Sequence, residues 1–502
     1  MFRLPSMAAT SEHNLANTEL QNAEVEDISA QPFEDELLGL IWKFLESPGN
    51  VLLIQGAPGT GKTTLALELL RRVKGTRIGP REISANKVYV SSRVSPIKFR
   101  RQFPGVHEVI DSMSGKGLAG TWTESEDNAR LSGATANIVH RILALKRAKQ
   151  KGIVVIDSWE GAVRNLAEEE RHSLESAIFS ELDDSKLGAV VVSEGESASG
   201  LTHLVDGITT LSMSRLEGRV VRSMMVDKLR GFRLRRQGAL FTLDRGRFTP
   251  LPRVGFHLDG DLSETPRVPA IVPHSEAAYS TGSEDLDKLL QGGIKKGSSV
   301  LIDLNSTVSP RVGIILIDII TANFINQGGS AFIVPYSIFS SQTVADSMRR
   351  YVGNDALNER VRIAEYNQGL PDEKWRVKMK GKIEEDIPII NRYWSQLGAI
   401  STSRMMKFDF DKLAQVYGED IGVPSLGEIG AGIRESAAFM MAVVSRPTMM
   451  REELQRSVDY YLKTQTLDES LLIYGVKPFS NVHGVEFSFE RGYPRLSLME
   501  VV

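Results

Sequence analysis

One octapeptide constrains the fold of this chain more than any other feature. Residues 56–63 read GAPGTGKT, which satisfies the phosphate-binding pattern G-x-x-x-x-G-K-[S/T] at every position. The apolar run at 51–54 predicts a buried parallel strand, and residues 64–70 predict a helix. Strand, glycine-rich loop and helix in this order predict a P-loop (residues 56–63), a site for the phosphates of a nucleoside triphosphate.

The residue types of the P-loop follow from the chemistry of phosphate binding. Glycines let successive backbone N–H groups face a phosphate, and the following helix adds the partial positive charge of its N-terminus. The lysine is expected to reach the β- and γ-phosphates, and the next hydroxyl to bind Mg²⁺. ATP and Mg²⁺ are therefore the expected cofactors. The predicted nucleotide-binding residues are Gly56, Ala57, Pro58, Gly59, Thr60, Gly61, Lys62, Thr63 and Thr64.

Composition limits the remaining classes of protein. A chain of 502 residues with 41% hydrophobic content is expected to form two or three domains with real cores. The absence of cysteine excludes disulfides, zinc–thiolate sites and thiol catalysis. A net charge of −3 argues against a wholesale polyanion binder. Residues 1–31 predict a disordered tail without the apolar core of a signal peptide, and no membrane span is expected, so we expect a soluble cytoplasmic protein.

The chain reads as two copies of one domain. Residues 32–253 alternate helices with short apolar strands, predicted at 51–54, 87–90, 152–156 and 189–192. The proline-rich stretch 254–275 predicts a linker, and 276–502 a second copy. GNVLLI at 49–54 aligns with GSSVLI 248 positions later, and FTLDRG at 241–246 with FSFERG 246 positions later. Nearly equal offsets at both ends of a domain favour a tandem duplication.

The second copy has lost its phosphate loop. The same offset of 248 places Pro310 where the first copy has Lys62, and Arg311 where it has Thr63. Proline offers no N–H group, and the bulkier residues crowd the path of a phosphate. Arg311 retains a charge that a phosphate could contact, and Asp409 at the end of another apolar run echoes a magnesium-binding carboxylate. We expect a structural or regulatory domain that binds no nucleotide.

A second motif of the nucleotide site lies at residues 153–158, which read IVVIDS. An apolar strand that ends in an acid has the form of a Walker B motif. With an intact P-loop upstream, Asp157 is expected to orient water on Mg²⁺. Thr63 and Asp157 are therefore the predicted metal-binding residues.

These motifs resemble those of RecA-superfamily ATPases, and most closely those of tandem KaiC-like proteins. Residues 280–297, STGSEDLDKLLQGGIKKG, resemble the domain-opening segment of that family, and Asp157-Ser158 matches its Walker B ending. The resemblance implies two tandem α/β RecA-like P-loop domains, each a mostly parallel sheet flanked by helices, the second with a degenerate site. It also implies a homo-oligomer of hexameric-ring type, in which the K-x-R-G segment of Lys228 and Arg230 reaches the γ-phosphate of the neighbouring subunit.

An intact first loop, a lost second loop and an arginine-rich strip are similar to archaeal GvpD proteins. That resemblance implies a P-loop regulator associated with repression of gas-vesicle genes. It also implies a regulatory protein partner such as a transcription activator, and no tight DNA binding by the chain itself.

The sequence departs from the KaiC-like pattern at the catalytic base. Such domains carry paired glutamates after the second core strand, whereas here Val88-Tyr89-Val90 runs into Ser91-Ser92-Arg93-Val94. A general base must lie within hydrogen-bond reach of the attacking water. The substitutes are Glu160 and Glu194, each competing with a purely surface role. We therefore expect a slow Mg-dependent ATPase, with Lys62, Asp157, Glu160, Glu194, Lys228 and Arg230 as candidate catalytic residues.

A basic strip, residues 219–253, has ten Lys or Arg residues against two acids. Three interpretations remain open: a solvated hairpin face, an inter-subunit phosphate sensor, and a docking surface for nucleic acid or an acidic partner. Lys228 and Arg230 suit the sensor, because residues two apart on a strand share a face. Arg233, Arg235 and Arg236 suit docking, with Arg93, Lys98, Arg100 and Arg101 as a smaller cluster.

The preferred function is an ATP-binding regulatory switch, in which nucleotide in the first domain controls assembly or a protein partner. The first alternative is a DNA-acting recombinase or motor ATPase of the same superfamily. The second is a scaffold in which nucleotide only holds the fold.

Overall fold

A computed structural model of the chain describes residues 36–72, 76–78, 81–83, 86–91, 98, 101–103, 142–143, 146–147, 151–164, 166–195, 200–254, 271–418, 433, 438–445, 451–490 and 493–502. The tail predicted at 1–31, most of the linker predicted at 254–275, and Arg93 and Arg100 lie outside these residues. The predicted domain boundaries therefore stay predictions.

The first domain alternates helices and strands as its apolar pattern predicts. Its helices are α1 (Glu36–Glu46), α2 (Lys62–Arg72), α3 (Trp159–Val163) and α4 (Glu168–Asp183). Its strands are β1 (Val51–Gln55), β2 (Thr76–Ile78), β3 (Arg81–Ile83), β4 (Asn86–Ser91), β5 (Gly152–Asp157), β6 (Leu187–Val192), β7 (Gly207–Leu216), β8 (Arg219–Leu229), β9 (Gly238–Thr242) and β10 (Thr249–Pro250). The four strands predicted from sequence are β1, β4, β5 and β6, each within two residues of the expected ends.

Eight of these strands form one sheet in the order β10-β9-β8-β7-β1-β6-β5-β4. Pairing is parallel from β4 to β7 and antiparallel from β7 to β10. All five residues of β1 are buried, because both faces of this central strand are covered. The carboxyl ends of β1, β5 and β6 therefore meet at one edge, where ligands bind in open α/β sheets.

The second domain has the same alternation. Its helices are α5 (Glu284–Leu289), α6 (Pro310–Asn326), α7 (Ser341–Arg360), α8 (Ile383–Ile400), α9 (Phe410–Tyr417) and α10 (Arg451–Ser457). Its strands are β11 (Ala278–Tyr279), β12 (Ile294–Lys295), β13 (Ser299–Leu304), β14 (Ser330–Ile333), β15 (Val361–Glu365), β16 (Arg376–Lys378), β17 (Arg404–Asp409), β18 (Phe439–Val444), β19 (Tyr460–Leu467), β20 (Ser470–Lys477), β21 (His483–Glu490) and β22 (Tyr493–Glu500).

The large sheet of the second domain repeats the strand order of the first. Its order is β16-β15-β14-β17-β18-β13-β19-β20-β21-β22, parallel from β16 to β19 and antiparallel beyond. Strand β13 therefore takes the place of β1, and β15 and β16 are added at the β14 edge. The predicted fold class, two tandem RecA-like domains of mostly parallel sheet flanked by helices, is confirmed.

The antiparallel strands of the two domains pack against each other. Buried apolar residues from both domains form one cluster of Val221, Leu240, Leu251, Leu472, Tyr474, Val482 and Val501. Arg219 is 4% exposed and donates to the carbonyl oxygens of Gly475 (2.6 Å) and Ser480 (2.7 Å), with its guanidinium over the rings of Tyr474 and Phe479. The interface thus combines an apolar core with a buried cation whose hydrogen bonds are satisfied.

One ion pair lies inside the core of the second domain. Lys407 of β17 donates to Asp318 of α6 at 3.3 Å, and both side chains are at most 3% exposed. Ser347 donates to the other carboxylate oxygen at 2.6 Å. Burial lowers the pKa of Lys407 and raises that of Asp318, against the attraction between the two charges. Each charge therefore depends on its partner to remain inside the core.

Candidate nucleotide site

The P-loop takes a tight curl between β1 and α2. Gly56, Gly59 and Gly61 have positive φ angles of 146°, 81° and 104°, which side chains rarely tolerate. A Cβ atom on Gly56 would lie 2.2 Å from the carbonyl oxygen of Leu211 on β7. The glycines at the two fixed positions of the motif are thus required by backbone conformation, and at Gly56 also by close packing against β7.

The lysine of the motif lies within this curl. The Nζ atom of Lys62 donates to the carbonyl oxygens of Gly56 (2.6 Å) and Ala57 (2.8 Å), and the residue is 7% exposed. Thr60 Oγ1 also donates to the Ala57 carbonyl, at 2.9 Å. A buried ammonium at the N-terminus of α2 provides the positive charge that a phosphate chain needs.

The residues expected to bind Mg²⁺ lie in direct contact. Thr63 Oγ1 donates to Asp157 Oδ2 at 2.7 Å, and Tyr89 Oη donates to the same oxygen at 2.5 Å. Burial and the carboxylate together raise the pKa of Tyr89 well above its usual range. A Thr hydroxyl and one carboxylate suit Mg²⁺, which takes few protein ligands and completes its shell with phosphate oxygens and water. The residues present therefore fit the metal that the motif implies.

The two candidate bases lie together at the carboxyl ends of β5 and β6. Glu160 Oε2 accepts from the backbone N–H of Glu194 at 3.1 Å, and its Oε1 accepts from Ser193 Oγ at 2.5 Å. Glu160 is in the first turn of α3, three residues after Asp157. Both glutamates are half-buried. Glu160 thus holds the end of β6 against the strand that carries the Walker B acid.

Lys228 and Arg230 lie at the opposite edge of the sheet from the P-loop. Lys228 pairs with Ile208 near the amino end of β7, whereas the P-loop follows the carboxyl end of β1. Lys228 Nζ donates to the Val205 carbonyl at 2.7 Å, and Arg230 pairs with Asp206 at 3.0 Å. Burial and the Arg230 charge lower the pKa of Lys228. The predicted contact with the γ-phosphate of a neighbouring copy stays a prediction.

Most cations of the basic strip have partners within the chain itself. Arg247 makes two hydrogen bonds of 2.9 Å to Glu68 of α2, and Arg253 pairs with Glu469 at 2.6 Å. Arg236 donates to the Asp468 carbonyl at 2.8 Å. Four cations of the strip form hydrogen bonds or ion pairs with residues of the second domain: Arg219, Arg222, Arg236 and Arg253. The strip therefore contributes four of its ten cations to an interface between the domains, which none of the three sequence interpretations anticipated.

The equivalent loop of the second domain is built differently. α6 begins at Pro310, and the Asn305 carboxamide oxygen accepts from the Thr307 N–H at 3.0 Å. A cavity of about 490 Å³ lies beside Arg311, between α6 and α7. Its lining is largely apolar, with two acids, Asp318 and Asp346, and two arginines, Arg311 and Arg350. That the second domain binds no nucleotide stays a prediction.

The Walker B echo of the second domain has another use. Asp409 caps α9 by accepting from the N–H groups of Asp411 (2.7 Å) and Lys412 (3.4 Å), and it also accepts from the Ser337 N–H at 2.9 Å. Burial raises its pKa to about 6. The Asp409 carboxylate therefore accepts hydrogen bonds from backbone N–H groups and serves as the N-cap of α9.

Two residues at the candidate site were missed by sequence reasoning. Tyr89 lies in the apolar strand β4, and its hydroxyl group was the only feature of the sequence that indicated a hydrogen-bond partner at the strand end. Arg222 donates to the carbonyl oxygen of Gly59 in the P-loop at 2.9 Å, and membership of the basic strip was its only signal.

No helix in the described part of the chain has both the length and the apolarity that a bilayer crossing requires.

Comparison with known proteins covers both halves of the chain. Residues 47–247 match the KaiC ATPase family. The chain is 24% identical to Protein GvpD2 and 23% identical to Protein GvpD1, both of Halobacterium salinarum, over 91% of this chain and 95% of each relative. A UPF0273 protein of Thermotoga maritima is 26% identical over 36% of this chain and 79% of its own length. The family match lies in the first domain, and the GvpD similarity extends through the second.

Proposed function

Because the chain is a RecA-superfamily ATPase of the KaiC/GvpD type, we propose that it is a cytoplasmic ATP-dependent regulatory switch. In this proposal Mg-ATP binds at the P-loop of the first domain and is hydrolysed slowly. Bound Mg-ATP controls either the assembly of the chain or the affinity of the chain for a regulatory protein partner. The second domain, with Pro310 in place of the P-loop lysine, binds no nucleotide and transmits the state of the first.

One observation carries this proposal: the contact between Thr63 and Asp157 beside a buried Lys62. The three residues supply what a Mg-triphosphate needs, namely a cation for the phosphates, a hydroxyl for the metal and a carboxylate to orient its water. The β13–α6 loop supplies none of the three in that arrangement. The interface contacts of Arg219 and Arg222 favour a chain that responds as one unit.

The mass of the assembly tests the switch. We expect Mg-ATP to convert the full chain into a larger ring, and Lys62→Ala to prevent the conversion. Light scattering coupled to gel filtration, with and without Mg-ATP, measures this. A ring would support trans roles for Lys228 and Arg230. A monomer under both conditions would remove those roles and leave partner affinity as the controlled property.

Replacement of Glu160 tests the hydrolytic step. We propose that Glu160 is the general base, because it is anchored beside Asp157. Glu160→Gln should then lower turnover about 100-fold, the lower end of a general base's contribution, without weakening Mg-ATP binding. A phosphate-release assay measures turnover, and Glu194→Gln is the matched control. Wild-type turnover in Glu160→Gln, or loss only in Glu194→Gln, would assign the base elsewhere.

The alternatives predict different results. A DNA-acting motor predicts salt-sensitive binding of single-stranded DNA that stimulates ATP turnover. Five cations of the strip are exposed, and three of them, Arg230, Arg245 and Arg247, pair with acids of the first domain, which argues against a continuous DNA-binding surface. A scaffold with structural nucleotide predicts that Lys62→Ala lowers the melting temperature while the folded variant still binds its protein partner.

A further inference from the structure

Arg222 joins the P-loop to the second domain. Its Nη1 donates to the carbonyl oxygen of Gly59 at 2.9 Å, and its Nε donates to the main-chain oxygen of Val502 at 2.6 Å. The residue is on β8 and is half-buried. One guanidinium therefore holds two backbone segments that are more than 400 residues apart in sequence. Its planar set of donors lets it contact both at once.

A second set of contacts joins the P-loop to residues 500–502. Thr242 Oγ1 donates to the carbonyl oxygen of Glu500 at 2.6 Å and accepts from the Val502 N–H at 3.4 Å. The next residue, Leu243, lies against the P-loop so closely that a Cβ on Gly61 would be 3.0 Å from its methyl carbons. Residues 500–502 are thus held by Arg222 and Thr242 of the first domain. Arg222 also contacts Gly59 of the P-loop, and Leu243, next to Thr242, packs against Gly61.

The hydrogen bond to Gly59 bears directly on phosphate binding. A trans peptide unit is planar, and its C=O and the following N–H point in opposite directions. A donor that holds the Gly59 carbonyl on one side therefore directs the Thr60 N–H to the other side, where it donates at 3.4 Å to the Ala57 carbonyl oxygen that also accepts from Lys62 within the loop. Inward N–H groups are what a P-loop presents to a phosphate. Arg222 is thus a positioning residue, because it acts on the ligand through the loop backbone.

We propose that the P-loop and residues 500–502 of the second domain are energetically coupled through Arg222. Mg-ATP in the P-loop then stabilises the docking of this segment, and docking in turn raises the affinity for Mg-ATP. Coupling between two sites is reciprocal by thermodynamic necessity. The inference rests on the proposed binding of nucleotide at Lys62, and it gives the second domain a defined contact with the site.

Hydrogen exchange of the full chain, with and without Mg-ATP, tests the coupling. In the wild-type protein we expect Mg-ATP to slow exchange in the P-loop and also in residues 493–502. Arg222→Ala should lose the effect at 493–502 and bind Mg-ATP about 10-fold more weakly, whereas Arg222→Lys, which keeps a cationic donor, should recover part of both. Arg245→Ala, in the same strip with a side chain 90% exposed, should match the wild type.

The outcomes separate this inference from the proposed function. If the wild type binds Mg-ATP in a Lys62-dependent way and exchange at 493–502 does not change, the coupling is wrong and the proposed function stands. If the wild type binds no Mg-ATP, both are wrong. If Arg222→Ala fails to fold, the exchange of the wild type with and without Mg-ATP still tests the coupling. Thr242→Val, which removes the hydrogen bond to Glu500, then serves as the second variant.

Discussion

Replacing Lys62 with alanine should weaken Mg-ATP binding at least about 100-fold, because one buried cation makes several contacts with the phosphate chain. Each charge-assisted hydrogen bond contributes about 1.5 to 3 kcal/mol, so the loss of two removes about 3 kcal/mol or more. Its hydrogen bonds to Gly56 and Ala57 show that the Nζ atom already lies within the loop. The dissociation constant for Mg-ATP, measured by calorimetry, checks this expectation.

Lys43→Ala is the matched control, since Lys43 is exposed on α1 of the same domain. It should bind Mg-ATP like the wild type. A melting curve without nucleotide must show that Lys62→Ala is folded. A folded Lys62→Ala protein with wild-type affinity would show that ATP binds elsewhere on the chain.

Replacing Lys407 with methionine should destabilise the second domain by about 3 to 5 kcal/mol, the usual cost of removing one partner from a buried pair. Methionine fills a similar volume, so the cost arises from the carboxylate of Asp318, which keeps Ser347 as a donor but loses its counter-charge. Chemical denaturation, followed as the free energy of unfolding, measures the effect.

Lys382→Met supplies the exposed comparison. Lys382 pairs with Glu385 at 3.0 Å with 72% of its side chain exposed, and such a pair contributes at most about 1 kcal/mol. The double variant Lys407→Met/Asp318→Leu should recover most of the lost stability, because it leaves no unpaired buried charge. If Lys407→Met alone were as stable as the wild type, the buried charges would not depend on each other.

The sequence was most informative where the chemistry is local. The P-loop, its flanking strand and helix, and the Walker B acid are contiguous motifs, and each predicted strand appears with ends shifted by two residues at most. The loss of the phosphate loop in the second domain could be predicted in the same way, because Pro310 at the lysine position removes a backbone N–H group in any structural context. Short motifs and apolar runs are the signals that survive without knowledge of packing.

The contacts that sequence reasoning missed join residues far apart in the chain. The partner of Tyr89 is 68 residues away, and Arg222 contacts residues 163 and 280 positions away. Charge alone predicted a solvated or docking surface for the basic strip, because a run of cations is usually solvated. The packing of the two antiparallel ends against each other turns Arg219, Arg222 and Arg236 toward backbone oxygens of the second domain.

The central claim is that one half of the chain binds a nucleotide and the other half does not. Titration calorimetry with Mg-ATP on the wild type, Lys62→Ala and Arg311→Ala tests it most directly. The account predicts one nucleotide per chain, lost in Lys62→Ala and retained with unchanged affinity in Arg311→Ala. Two nucleotides per chain, or binding that survives Lys62→Ala and disappears in Arg311→Ala, would contradict it.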